Sequence, residues 1–162
     1  MSDWREGFIK HLESLRDKND RAALATLRKG LKGQPELNFD AAKYVYPWLP
    51  PNLYAAGVEN AFLVASLFAL HPAKGGRSNM GGSVRRIKDK SGSIEKRFAA
   101  LVDSDREALP VKLRYMTTLL KSNNVPVDWL QMLKDLSSWE HQDKFVQRKW
   151  VSDFYGVKEG EE

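Results

Sequence analysis

The stretch YAAGVENAFLVASLFALHP, residues 54–72, decides the fold. Between 61 and 70 only Ser66 interrupts an apolar run, and Glu59 precedes it. The run falls well short of the roughly 20 apolar residues needed to cross a bilayer, so it reads as a helix buried inside a folded core. His71-Pro72 ends it, because a proline disfavours helical geometry in the residue before it.

Helical spacing continues on both sides, and alternating strand patterns are hard to find. Upstream, Trp4, Phe8, Leu12 and Leu15 recur at intervals of four, four and three behind Asp3, a good N-cap. A second helix starts at Asp20, buries Leu24, Leu27 and Leu31, and meets stop signals at Gly30 and Gly33. Residues 34–52 hold four prolines with Tyr44, Tyr46 and Trp48, leaving room only for a short helix near 40–46.

Downstream, Lys74-Gly75-Gly76-Arg77-Ser78-Asn79-Met80-Gly81-Gly82 is glycine-rich, basic and without acid, and reads as a mobile loop. A short helix is expected over 83–88. Ser93 then caps a helix with Ile94, Phe98, Leu101 and Val102 as its apolar stripe, and Ser104-Asp105-Arg106-Glu107 matches a capping box. Pro110 opens a helix to residue 122 that turns Leu113, Met116 and Leu120 inward. Asp128 caps one with Trp129, Leu133 and Leu136 inside, and the last, about 141–155, buries Phe145 or Val146 with Trp150 and Phe154. The expected fold is all-α, about eight helices in two small packed bundles: an N-terminal subdomain over 1–72, the basic loop over 73–82, a C-terminal bundle over 83–157 and an acidic tail over 158–162.

The 162 residues can bury about two thirds of their unfolded surface. A composition 42% hydrophobic and 29% charged is that of an ordinary folded domain. The lack of cysteine removes disulfides and thiolate chemistry and fits a reducing compartment, the cytoplasm by default. Residues 1–18 mix Asp3, Arg5, Glu6 and Lys10 with apolar positions and have no continuous signal-peptide core.

Charge is distributed unevenly. Residues 71–121 carry twelve Lys or Arg against five Asp or Glu, a local +7 in a chain whose total is +5, so the remainder sums to −2. Solubility alone does not require such concentration, whereas following a phosphate backbone does. Arg21, Arg28 and Lys32 share one side of their helix, with Lys29 beside them. Arg114, Thr117, Thr118 and Lys121 fall on one face of theirs, two cations with two hydroxyls able to donate to phosphate oxygens. Arg85, Arg86 and Lys88 follow the glycine loop, with Lys96-Arg97 on the next helix. A solvated helix exterior accounts for any one of these; the regional imbalance is what favours a binding face. Tyr115 or Trp139 could stack on unpaired bases, although aromatics spaced beside Leu and Met usually belong to the core.

Catalytic motifs are weak. The glycine loop has no Gly-Lys-Ser/Thr ending and no strand before it, though its amides and Arg77 could meet a nucleic-acid phosphate. His11, His71 and His141 lie tens of residues apart without metal-ligand spacing. Asp103, Asp105 and Glu107 fit helix termination better than a nuclease centre. Neither a cofactor nor an enzymatic activity is expected.

The order of motifs carries further information. The Arg28-Lys29 pair, Gly-Gly-Ser-Val-Arg-Arg at 81–86, Glu95-Lys96-Arg97-Phe98 with Leu101, Leu113-Arg114, Val127-Asp128-Trp129-Leu130, Ser138-Trp139, and Trp150 with Phe154 together resemble the CasB family, the small subunit of the type I-E Cascade complex of CRISPR immunity. The resemblance covers most of 21–154. It implies an all-helical, non-enzymatic subunit present as two copies, beside the large subunit and backbone subunits, helping to hold the guide RNA:target DNA duplex and the displaced strand. It also implies nucleic-acid contact for Arg28, Lys29, Arg85, Arg97 and Arg114. Helical geometry adds Arg21, Arg86, Lys88 and Lys121. Lys29 stands where an arginine is common in the family, giving a point charge in place of a planar fork. The alternative is a helical scaffold whose basic face docks an acidic protein.

Overall fold

The computed structural model describes residues 3–30 and 39–157. Every regular element among them is helical, and they fall into two compact units, Met1–Pro72 and Ala73–Glu162. The expected burial of Leu31, the stop at Gly33, the face position of Lys32 and the acidic tail lie outside the described residues.

The first unit is built around the stretch quoted above. It runs α1 (Trp4–Asp17), α2 (Arg21–Lys29), α3 (Phe39–Val45), a 3-10 turn (Tyr46–Trp48) and α4 (Ala55–Leu70). The apolar residues of α4 occupy every side of the helix, as a helix enclosed all round requires. Phe62, Val64, Leu67 and Phe68 are at most 1% exposed. The Ser66 hydroxyl is buried harmlessly, because it donates to the Phe62 carbonyl one turn back at 2.9 Å. Against α4 lie α2, through Ala23, Leu24 and Leu27, and α3, through Ala41 and Val45. The Asp3 N-cap forms, accepting from the Arg5 amide at 3.0 Å, and Asp20, expected as the start of the second helix, is its N-cap, accepting from the Ala23 amide at 3.1 Å. Each satisfies an amide that the first turn would leave without a partner.

The second unit comprises α5 (Met80–Arg85), a 3-10 turn (Lys88–Lys90), α6 (Ser93–Val102), α7 (Leu109–Ser122), α8 (Trp129–Ser137) and α9 (Phe145–Phe154). That makes nine α-helices among the described residues rather than about eight, because both short candidates, α3 and α5, form. Phe98 stacks on Phe154 with centroids 4.4 Å apart, and Trp139 meets Trp150 at 5.0 Å. The indole N–H groups are satisfied: Trp139 donates to the Ser104 carbonyl at 2.9 Å and Trp150 to the Asp135 carboxylate at 2.8 Å.

Several local expectations are corrected. Helix begins at Met80, inside the stretch read as loop through Gly82: Asn79 caps it, accepting from the Gly82 amide at 3.0 Å, and Gly81 is needed for close packing on α9. Ser93 is the first residue of α6 and not its cap; its amide donates to the Ser91 hydroxyl at 3.3 Å. Ser104 forms no capping box, since its hydroxyl donates back to the Ala100 carbonyl at 2.9 Å. Asp105 accepts from the Ala108 amide at 2.9 Å instead. The last helix starts at Phe145 and not 141, because Lys144 sits in the left-handed region at φ 51°. Of the two residues offered for its core, Val146 is buried and Phe145 is about half exposed. Among the described residues no helix is long and apolar enough to cross a membrane.

Candidate nucleic-acid interface

In the first unit, Ala23, Leu24 and Leu27 turn one side of α2 to the core, which directs Arg21, Arg28 and Lys29 to solvent. Arg28 is partly oriented: Nη1 donates to the Ala69 carbonyl in the last turn of α4 at 3.4 Å, leaving most of its donor fork available.

In the second unit, α5 packs along α9 and creates a concavity of about 810 Å³. Arg77, Arg85, Arg86 and Lys149 line it together with Asp135 and Asp153. Both acids are already engaged. Asp153 accepts from Asn79 at 2.6 Å and pairs with Lys149 at 3.2 Å. Asp135 accepts from Trp150 and from Gln131 at 2.9 Å, and burial raises its pKa above the ordinary carboxylate value. The three arginines have no carboxylate partner among the described residues. Four cations against two carboxylates leave the basin with an excess of two positive charges.

A third set lies on α6 and α7. The Arg97 guanidinium carbon stands 4.3 Å from the Tyr115 ring centroid. Arg114, Thr118 and Lys121 face outward on α7. Thr117 does not join them: it is 0% exposed, at a position between Leu113 and Leu120 on the core face. The Thr118 hydroxyl is also occupied, donating to the Arg114 carbonyl at 2.9 Å. The expected pair of phosphate-donating hydroxyls is therefore absent from this face.

Lys88 is half-buried, its ammonium 5.8 and 5.9 Å from the centroids of Phe154 and Tyr155. Trp139, at 3% exposure, belongs to the core and cannot stack on a base. None of the nine candidate cations pairs with a carboxylate among the described residues, whereas Arg5, Arg16, Arg106 and Lys149 do. Lys149 reaches the basin only because α9 lies against α5, so no local sequence signal marks it. Among the described residues no cluster of three or more His, Asp or Glu is arranged to hold a metal ion.

A wholly helical architecture among the described residues, bearing solvent-facing cations without carboxylate partners there, defines a basic all-helical protein. A family model described as CRISPR-associated protein Cse2 matches residues 23–155, and the chain belongs to this family, whose members are also called CasB. It is 32% identical to the Cse2 protein of Thermus thermophilus, over 97% of this chain and 93% of that one. The crystal structure of a Cse2-family protein from Thermus thermophilus superposes with a TM-score of 0.84 at 31% identity, covering 97% and 100% of the two chains. CasB of M. ruber gives 0.81 at 28% identity over 96% and 94%. A chain of a CRISPR RNA-guided surveillance complex gives 0.81 at 27% identity over 94% and 91%.

Proposed function

We propose that this protein is the small, non-catalytic subunit of a type I-E Cascade surveillance complex, stabilising the R-loop through backbone-phosphate contacts. Its partners on this reading are the CRISPR RNA, the target and displaced DNA strands, the large and backbone subunits, and a second copy of itself. The observation that carries the proposal is the set of candidate cations on α2, α5, α6 and α7 that no carboxylate among the described residues neutralises. Likeness to a chain of a CRISPR RNA-guided surveillance complex supplies the setting.

The energetics suit a subunit without chemistry. Exchanging a DNA duplex for a guide RNA:target DNA heteroduplex is nearly balanced, so a few kcal/mol of phosphate contact decides whether the open state persists. Guide pairing reads sequence, and the protein reads only charge and backbone shape.

Charge reversal at Arg28, Arg85 and Arg114 tests this directly. The triple variant is expected to stay folded and to weaken target binding by the complex; unchanged R-loop stability would refute the site assignment. With about five phosphates engaged on a single strand, log affinity falls against log salt with a slope of about −3 to −4. Electrophoretic mobility with single-stranded and duplex probes separates this reading from a scaffold that docks an acidic protein, which would shift neither.

A further inference from the structure

We propose that Arg97 and Tyr115 form a stacking shelf for one unpaired nucleobase, an inference that rests on the phosphate-binding reading and adds to it a preference for single strands over duplex. Tyr115 follows Arg114 on α7, between the buried Leu113 and Met116, and helical geometry turns it outward to 41% exposure. Its ring is covered on one side by Arg97 from α6, at 4.3 Å. Neither the Arg97 guanidinium nor the Tyr115 hydroxyl forms a hydrogen bond within the described residues.

Tyr155 provides the contrast. It is also exposed, but its hydroxyl donates to Glu95, its ring packs on Phe154, and Lys88 stands over it. The hydroxyl and the ring of Tyr155 are thus both engaged within the fold. Tyr115 supports one arginine and presents that arginine to solvent.

A guanidinium plane lying on an aromatic ring offers its outer face to a third planar group, and nucleobases stack on arginine planes as they do on aromatic rings. The contact with the ring restrains the Arg97 guanidinium in advance, so less conformational freedom is lost when a base arrives. Arg114, the adjacent residue, supplies a cation for the neighbouring phosphate. In a duplex each base has both faces covered by its neighbours, so only an unpaired base can use the shelf. Every base has a π-face, so the shelf takes any base, with purines favoured by their larger area.

The test uses the full-length chain and two single-stranded DNA probes of equal length, one with its bases and one made entirely of abasic residues, which keeps the phosphates. The base-bearing strand is expected to bind about 5- to 150-fold more tightly, the range one stacked base supplies. Tyr115→Leu should remove that difference while leaving abasic binding and the salt slope as they were. Tyr115→Phe should keep the difference. Arg97→Lys, which retains charge without the plane, should lose most of it. Equal wild-type affinity for the two strands overturns the shelf, and so does a Leu variant that weakens both strands alike. If either result comes with a slope of about −3 to −4, the phosphate reading stands alone. A flat slope, or no binding of either strand, overturns both.

Discussion

Gly81 lies directly against the backbone of Trp150: a Cβ at position 81 would overlap the Trp150 carbonyl oxygen and stand 2.6 Å from its carbonyl carbon. The obstacle is main chain rather than a side chain that could swing away. Gly81→Ala must therefore push α5 from α9. Helix propensity offers alanine about 1 kcal/mol in return, less than the overpacking costs. With overpacking at about 1–3 kcal/mol and that return subtracted, a net loss of up to about 2 kcal/mol is expected in denaturant unfolding. Gly92→Ala is the control, since a Cβ there meets nothing within 4 Å and the residue already has helical φ and ψ. That change should be neutral or slightly stabilising.

How much of this was legible in the sequence depended on whether the signal was local. The enclosed α4, its stop at His71-Pro72, the Asp3 and Asp128 caps and the start of α2 near Asp20 could all be read from spacing and side-chain chemistry. The onset of α5 could not, because its glycines suggest a loop until α9 is known to lie against them. The capping box at 104–107 failed because the Ser104 hydroxyl donates back to the Ala100 carbonyl, and Asp105 accepts from the Ala108 amide in its place. In the site, Arg85 and Arg86 were evident as a pair, while Lys149, at the far end of the same basin, depended on tertiary packing. Thr117 was misplaced through an error of helix rotation: 113, 116, 117 and 120 form one face, and 114, 118 and 121 the other.

That rotation has a measurable consequence. The Thr117 hydroxyl oxygen is buried and has no hydrogen-bond partner among the described residues. Ordinarily a helical threonine donates to the carbonyl four residues back, as Thr118 does. Thr117→Val keeps the branched shape and removes a desolvated polar atom, so it should stabilise the protein by about 1–2 kcal/mol. Thermal unfolding would show it as a raised midpoint. A drop in the midpoint would mean that the hydroxyl is satisfied in solution.

Asp135 makes one part of stability depend on pH. Burial is the largest influence on it and raises its pKa, outweighing the hydrogen bonds from Trp150 and Gln131 that favour the anion. Since the folded-state value lies above the unfolded one, the folded protein holds this proton more tightly. The contribution is fully present below the unfolded value, near 3.8, and is lost as pH rises through the higher folded value. Asp135→Asn should flatten this decline in stability above about pH 4. The comparison is of slopes across a pH series of urea titrations, because the variant also changes the hydrogen bond to Trp150 and so shifts the absolute level.

His11 acts in the opposite sense in the first unit. Its ring stacks on Trp48 with centroids 3.4 Å apart, and Nε2 lies 2.8 Å from the Tyr44 carbonyl oxygen, a geometry that suits a neutral ring donating from Nε2. Desolvation lowers its pKa, outweighing the effect of that carbonyl, and Lys18 adds to the lowering. The contribution is present above the ordinary value near 6.5 and is lost as pH falls through the lower folded value. Stability of the wild-type chain should therefore decline on acidification below about pH 6.5, and His11→Gln should decline less. Fluorescence of Trp48, which His11 covers, reports the transition; identical pH profiles for the two proteins would exclude His11 as its source.

The candidate cations should differ in what each contributes to binding. Arg85 and Arg86 line the basin without acidic partners among the described residues, so neutralising either to Gln should reduce the salt slope for single-stranded DNA by about 0.7, the amount for one phosphate contact. Lys88 carries the same formal charge, but its ammonium lies over Phe154 and Tyr155 and its side chain is half-buried. Part of what Lys88→Gln removes is a cation–π contact within the fold, worth about 0.5–1 kcal/mol at such a site. It should lower the unfolding midpoint while changing the salt slope by less than half as much as Arg85→Gln. Equal slope changes for the two variants would place Lys88 in the phosphate-binding set on the same footing as the arginines, and would show that the aromatic pair presents its charge to the nucleic acid instead of withdrawing it.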